Sequence, residues 1–522
     1  MSNPNALPCA DASISSAAAV PACAARKTWV LSAAVLGSTL AFIDQSVVNV
    51  ALPKIESELS ATLATMQWVI NAYTLCMTAL LLVGGATADQ FGRRRVFVIG
   101  VSLFTLASLL CGIAPNAAVL IAARALQGTG AALLVPCALA LIGAAFDEHE
   151  RGAAIGIWSG ASAIAAGIAP LLGGALVDHV SWRAIFLINP VLAVPTLWIT
   201  LRYVPESRDP DAAPGIDWPG ALLAFAGLGS LVYGLIASST LGWGNPRVLA
   251  AVAAGALLLV AFVIVEHRSR APMMPLELFR SRTFSGINLQ TLLLYGALGG
   301  AFFFLPFVLI QARGFSATAA GAAYLPFTIV LGVLSRWSGK LLDRFGARWP
   351  LIIGPALTAV GFVLLADAAS YQATLAAMTV LGFGMAITVA PLTTAVINAV
   401  PAHRTGVASG INNAVASLGS LLLIAILGSV ALNSFERALD ESLARAAVPA
   451  AVRSAVESAR GGFVMPALPS SLDEAQRRQT RAIVAGALVQ TVRGALWIAA
   501  GLTLGSALVA ALTIPAKGGR AR

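Results

Sequence analysis

Apolar residues run through this chain in blocks of about twenty, separated by short polar or charged stretches and without strict alternation. In hydrocarbon every backbone amide must be satisfied within its own segment or in a closed barrel, so runs of this length and pattern read as membrane-spanning helices. Taken in order, helices are predicted near residues 29–51, 67–87, 96–114, 117–141, 153–177 and 184–203, which form a first bundle. Two more follow near 218–238 and 247–265, and then six near 285–310, 319–341, 350–367, 373–399, 406–431 and 491–514. The expected fold class is an all-α polytopic membrane protein of about fourteen spans arranged 6+2+6. Its divisions are a disordered tail over 1–28, a bundle over 29–205, an inserted helix pair with linkers over 206–283, a second bundle over 284–515 and a tail over 516–522. One long connection, about 432–490, carries charges of both signs and the stretch "SSLDEA", where Ser471 and Glu474 are spaced as a capping box.

Composition sharpens this picture. Of the 522 residues 58% are hydrophobic and 11% charged, against roughly 25% charged in a soluble domain. The 48 glycines lie largely within apolar runs, where small residues let membrane helices approach closely. A net charge of +10 could suit a nucleic-acid partner, but the basic residues are dispersed among short loops, so they read as a topology signal and no nucleic acid is expected. With both termini cytoplasmic, that side holds Arg26, Lys27, Arg93 to Arg95, Arg151, Arg202, Arg268, Arg280, Arg344 and Arg404 among others. The short outer loops keep Lys54, Arg183, Arg247 and Arg313. The first 25 residues are rich in Ala, Ser and Pro, with no basic region ahead of an apolar core, and read as a tail rather than a signal peptide. Five cysteines and four histidines show no disulfide or metal spacing, and nucleophile and nucleotide-loop signatures are missing, so no enzyme, metal or cofactor is expected.

Two loops match at one offset: "GATADQFGRRR" from Gly85 and "GKLLDRFGAR" from Gly339. The same shift of 339 − 85 = 254 carries Asp89 onto Asp343, Gly92 onto Gly346, and Gly152, Ala154 and Gly156 onto Gly406, Ala408 and Gly410. Two homologous halves follow, an arrangement that lets transporters build a midplane site between them.

Ionisable groups inside apolar helices are functional candidates by default, and two stand out: Asp44 in "LAFIDQSVVNVALP" and Arg124 in "VLIAARALQGTGAALLVP". Asp44 is either a proton carrier balanced by Arg124 or half of a structural ion pair. The shift of 254 puts Leu298 where the first half has Asp44, which concentrates proton chemistry in the first half. In the loop from Gly85, Gly92 is free to take positive φ, and Asp89 beside Arg93 to Arg95 is either a conformational latch or part of a topology anchor. Acids for those arginines are expected at Asp147, Glu148 and Glu150. Small residues before Pro170, Gly173 and Gly174 suit close helix packing or a flexing point. Phe42, Asn49, Asn71, Tyr295, Phe303 and Asn412 are candidates to line a substrate cavity.

The chain resembles the major facilitator superfamily, and within it the fourteen-span drug:proton antiporters. The resemblance covers about Trp29 to Pro515 and rests on "IDQSVVNVALP", "GATADQFGRRR", "RALQGTGAA", "APLLGG" and "SWRAIFLINP". It implies the major facilitator fold and export by alternating access across a bacterial inner membrane, driven by protons, with small drug-like molecules as substrates. Asp44 and Arg124 would match the family's first-helix acid and fourth-helix arginine. Gly85, Asp89, Gly92 and Arg93 would match its cytoplasmic latch, and Pro170, Gly173 and Gly174 its antiporter motif. Ala165 and Ala169 replace two glycines usual in that motif, and the tenth span lacks the acid that some relatives carry for divalent cations. A specific metabolite or self-made-product exporter of the same fold and a non-transporting receptor are the alternatives. Docking of a periplasmic adaptor is left open.

Overall fold

A computed structural model describes residues 19–209, 215–269, 272–401, 404–445, 448–457, 460–463, 465, 468 and 472–515. The tail expected over 516–522 lies outside these residues, as do residues 1–18 of the tail expected over 1–28. Residues 19–28 are helical and open the first span.

Six helices come first: α1 (Ala19–Glu58), α2 (Leu63–Phe91), α3 (Arg93–Gly112), α4 (Ala117–Ala145), α5 (Glu148–His179) and α6 (Ala184–Tyr203). Next are α7 (Trp218–Leu241) and α8 (Pro246–Arg268). The remainder holds α9 (Arg282–Phe307), the short α10 (Ala317–Ala322), α11 (Leu325–Phe345), α12 (Arg348–Asp367), α13 (Tyr371–Asn398), α14 (Thr405–Arg445), α15 (Ala450–Glu457) and α16 (Glu474–Thr513). Among the described residues fourteen helical segments are long and apolar enough to cross a membrane. Polar side chains set many of the starts: Thr62, Asn116, Asp217, Ser281 and Ser370 each accept a backbone N–H as N-caps.

Three elements differ from the sequence expectation. The spans placed at 406–431 and 491–514 are parts of the 41-residue α14 and the 40-residue α16, which run on past the apolar stretch and shorten the connection expected over 432–490. Phe435, Ala438, Leu439 and Leu443 recur at helical spacing and are buried, and this stripe continues α14 through charged residues. The cap of α16 is Asp473 with Gln476, not Ser471 with Glu474; Ser471 lies outside the described residues. Finally, the span expected at 319–341 is broken between α10 and α11 at Ala323 and Tyr324.

The core shows how the two six-helix groups meet. We call the end bearing Arg93 to Arg95, Arg202 and Arg282 the arginine-rich end. There the apolar clusters are separate: one holds Phe97, Phe104 and Leu141 from the first group, the other Phe284, Leu351 and Ile411 from the second. Toward the opposite end a single cluster joins Val47, Ile55 and Leu63 to Phe304, Leu309 and Phe435. Apolar packing thus fuses the groups at one end, while among the described residues the clusters at the other end stay separate, with Leu82 of α2 still beside Gly410 of α14. The pair α7–α8 docks through Val232 and Leu235 onto Leu75 of α2 and Leu421 of α14, and Ser238 shares a 2.7 Å hydrogen bond with Ser429. Only 11% of the α8 apolar window is buried, so this helix is the peripheral one, with its apolar surface left to lipid.

Candidate functional site: a buried polar cluster, a latch and a glycine seam

Asp44 and Arg124 meet. Asp44 is fully buried and Arg124 is 1% exposed, and the Arg124 Nη1 donates to Asp44 Oδ2. Three further helices, α2, α3 and α6, close around the pair. Gln127 of α4 donates to Asp44 Oδ1 at 2.8 Å while its Oε1 accepts from Arg124 Nη1 at 2.8 Å. Asn189 of α6 donates to the same Asp44 oxygen at 3.2 Å and to Ser108 Oγ of α3 at 2.8 Å. Arg124 Nε donates to the Val69 carbonyl of α2 at 3.1 Å, and its guanidinium lies 4.3 Å from the Tyr73 ring centroid and 5.8 Å from that of Phe186.

An ion pair taken out of water survives only when its remaining donors and lone pairs are satisfied, and this network does that with neutral amides, a backbone carbonyl and aromatic faces. The consequence is mechanical. A proton on Asp44 would remove the charge that holds Arg124, Gln127 and Asn189 together, and those three sit on α4 and α6. The sequence reading found the two charges but missed Gln127, Asn189 and Ser108, since neutral side chains do not stand out in a search by charge. Gln127 lies three residues after Arg124, on the same helix face, which is the one signal available.

At the arginine-rich end Gly92 joins α2 to α3 with φ of +115° and ψ of 124°, a backbone that side chains avoid. A Cβ there would also stand 2.7 Å from Glu206 Oε1. Asp89 accepts from Arg93 Nε at 2.8 Å, its carbonyl accepts from Asp209 N–H at 3.1 Å, and Arg93 N–H donates to the Ser207 carbonyl at 2.9 Å. Glu206 accepts from Arg94 N–H at 3.0 Å and lies 3.6 Å from Arg95 Nε. The acids expected for these arginines are therefore corrected: Asp147 and Glu150 accept instead from Lys27 Nζ, at 3.1 and 2.6 Å, and the side chain of Glu148 lies outside the described residues. Glu206 escaped the sequence reading because it sits beyond α6 with no fixed spacing to the loop. Gly85 has ordinary room, its nearest neighbour for a Cβ being Pro136 at 3.8 Å. The repeat partner of Gly92, Gly346, also has positive φ, +72°, while the side chain of Asp343 lies outside the described residues.

Pro170, Gly173 and Gly174 line the seam where α5 meets α1, α10 and α11. A Cβ on Gly173 would fall 2.4 Å from Val47 Cγ2, one on Gly174 2.1 Å from the Ala317 carbonyl oxygen, and one on Gly321 2.0 Å from the Pro170 carbonyl oxygen. Backbones touch here because side chains are absent. Asp178, near the end of α5, then caps α10: it accepts from Ala317 N–H at 3.1 Å, Thr318 N–H at 2.7 Å and Thr318 Oγ1 at 2.6 Å. Nearer the arginine-rich end, Cβ atoms on Gly152, Gly156 and Gly160 of α5 or Gly332 of α11 would meet nothing within 4 Å.

The six cavity candidates are dispersed. Asn71 is fully buried with both amide atoms unpartnered, and Tyr295 is half-buried with its carbonyl accepting from Ser420 Oγ at 3.0 Å. Asn412 donates to Asn288 Oδ1 and Thr291 Oγ1, and Asn49 donates to the Gln45 carbonyl of its own helix. Phe42 makes an edge contact with Trp158, and Phe303 is sealed among Phe304 and Phe307.

Fourteen helices long and apolar enough to cross a membrane, with a charged pair enclosed within the first six, define a multi-pass membrane protein. The chain belongs to the Major Facilitator Superfamily, whose match extends over residues 34–424. It is 37% identical over 414 residues to the multidrug resistance protein Stp of Mycobacterium tuberculosis, covering 79% of this chain and 77% of that one. It is 34% identical over 402 residues to the tetracenomycin C resistance and export protein of Streptomyces glaucescens, covering 76% and 74%. Among solved structures, an inward-facing, occupied bacterial homologue of the human lysosomal transporter Spinster matches with a TM-score of 0.64 at 19% identity, over 93% of this chain and 96% of that one. A D-xylose–proton symporter matches with a TM-score of 0.60 at 16% identity, over 94% and 98%. These likenesses bear on the fold alone.

Proposed function

We propose that this protein is a proton-coupled exporter of amphipathic, drug-like small molecules that works by alternating access across a bacterial inner membrane. The observation that carries the reading is the enclosed Asp44–Arg124 pair, tied by Gln127 and Asn189 to α4 and α6. Protonation of Asp44 loosens that network, and deprotonation restores it, so a proton and a rearrangement of the first bundle are linked. The bundles 29–205 and 284–515, with a helix pair inserted in the chain between them at 206–283, rock against one another, with both termini cytoplasmic as the Lys/Arg bias directs. In that orientation the arginine-rich end faces the cytoplasm and lies open, the fused end faces outward and is shut, and the loop with Gly85, Asp89, Gly92, Arg93 and its repeat partner Asp343 latches the alternative state.

Resistance and export proteins among the relatives support a drug-like substrate. One proton crossing 150 mV releases about 3.5 kcal/mol, enough for a gradient of roughly 300-fold in a neutral substrate. A second reading keeps the mechanism with one self-made product as cargo, which the name of the tetracenomycin C relative favours.

The test is ethidium efflux from energised cells carrying the wild type or Asp44→Asn, with and without a protonophore. Protonophore-sensitive efflux that fails in Asp44→Asn is expected. Equal, protonophore-insensitive efflux in both would refute proton coupling through Asp44, and no ethidium transport at all would favour the single-product reading.

A further inference from the structure

At the fused end a second carboxyl is enclosed, and among the described residues no cation pairs with it. Glu56, in the last turn of α1, is 1% exposed. Its Oε1 accepts from the Phe463 N–H at 2.9 Å, and its Oε2 has no partner among the described residues. Several cationic groups on the elements around it are engaged elsewhere, while Arg437, Arg453 and Arg481 are exposed. Lys54 and Arg183 pair with Glu58, Arg460 pairs with Asp440, Arg478 pairs with Glu474, and Arg313 donates to Thr374 Oγ1 and the Ala368 carbonyl.

Residues 461–463, from the connection between α14 and α16, close over Glu56. Gly461 has φ of +89°, and its carbonyl accepts from Leu63 N–H of α2 at 2.9 Å. A Cβ on Gly462 would stand 2.3 Å from Glu56 Oε1, so a side chain there would have to displace the carboxyl. Phe463 is fully buried against Phe304 and Phe307 of α9 and Phe435 of α14, with ring centroids 6.1, 5.8 and 5.1 Å away. The segment therefore grips the first bundle through Glu56 and Leu63 and the second through an aromatic cluster. It spans the seam between them.

We propose that Glu56 is a second proton-binding residue, which takes a proton from the side this end faces when residues 461–463 seal over it and returns that proton when the seam opens. An ionised carboxylate held by one backbone N–H in an apolar seam is an uncompensated buried charge, which is far costlier than the neutral acid. The neutral acid keeps the Phe463 hydrogen bond and loses the charge. The sealed state therefore binds one more proton than the open state, in which Glu56 meets water, and linkage fixes the sign: lowering the pH favours sealing, by up to about tenfold per pH unit. This inference rests on the exchange of states and the orientation proposed above. Glu56 moves no net charge across the membrane; it makes outer closure follow the acidity of the outer compartment, where protons wait.

The experiment places spin labels at exposed Ser57 and Arg437, on the two sides of the segment, in the full chain lacking its five native cysteines and held in lipid nanodiscs. Distances are measured from pH 8 to pH 5, with and without ethidium. The short-distance population should rise on acidification in the wild type and in Asp44→Asn, and Glu56→Gln should hold it high throughout. A Glu56→Gln protein that titrates like the wild type, or a wild type that responds to ethidium but not to pH, overturns the role of Glu56 and leaves the exchange of states standing. Distances that answer to neither pH nor ethidium overturn both.

Discussion

Gly174→Ala is the smallest change that bears on the closed seam. The added Cβ would lie 2.1 Å from the Ala317 carbonyl oxygen, 2.5 Å from its carbon and 2.7 Å from Thr318 Cα, whereas ordinary contact begins at 3.4 Å. All three neighbours are backbone atoms, so no side chain can swing aside, and α10 must retreat by more than 1 Å. Gly321 cannot absorb the movement, because its own approach to the Pro170 carbonyl is equally close. The retreat also draws Ala317 and Thr318 away from Asp178. Overpacking of this kind costs about 1–3 kcal/mol, which tilts the population toward a separated seam by roughly 5- to 150-fold. The assay is the labelling rate of a cysteine at buried Ala320 by a membrane-impermeant maleimide, in a background without native cysteines. Gly174→Ala should label faster by a factor in that range, while Gly152→Ala, whose Cβ meets nothing within 4 Å, should match the parent. Labelling of Gly174→Ala at the parent rate, with full transport, would show that the α5–α10 contact does not hold this end closed.

Three further outcomes follow from the same contacts. Asp178→Ala removes three acceptor bonds from the start of α10, a cap worth about 1 kcal/mol, and should raise Ala320→Cys labelling by about fivefold; an unchanged rate would exclude the cap as a clamp. Gly92→Ala meets a forbidden backbone and the Glu206 carboxylate together, and should cost about 1–3 kcal/mol, read as a lower thermal midpoint of the purified protein. An unshifted midpoint would mean the turn relaxes freely. Gln127→Leu takes one hydrogen bond from Asp44 and one from Arg124, each worth about 1.5–3 kcal/mol, and should lower ethidium efflux at least tenfold at unchanged protein abundance; wild-type efflux would place Gln127 outside the coupling network.

The spans were legible because each needs about twenty apolar residues, a signal that survives without any knowledge of packing. What the helices do beyond the apolar stretch was not. Glu436, Arg437 and Asp440 read as loop, yet α14 continues because Phe435, Leu439 and Leu443 keep one face buried against the rest of the fused end. The break at Ala323 and Tyr324 was equally hidden, since it depends on α10 being held by Asp178 across the seam. Asp44 and Arg124 were visible as charges in apolar runs, whereas the polar partners that complete their site come from α3, α4 and α6 and are ordinary residues until the fold assembles them. Glu206 and Glu56 teach the same lesson. Nothing in the sequence singles out either acid, and only the folded chain brings Arg94 and Arg95 to Glu206 and residues 461–463 over Glu56.

Proton-driven export through Asp44 requires that binding of the substrate drive the proton off this carboxyl. This requirement is tested most directly by adding ethidium to the purified protein in a weakly buffered solution and following pH. With Glu56→Gln in both proteins to silence the second carboxyl, the wild type should release protons in proportion to the ethidium bound, and Asp44→Asn should bind ethidium without releasing any. Equal release from Asp44→Asn, or binding by the wild type with no release, would contradict it.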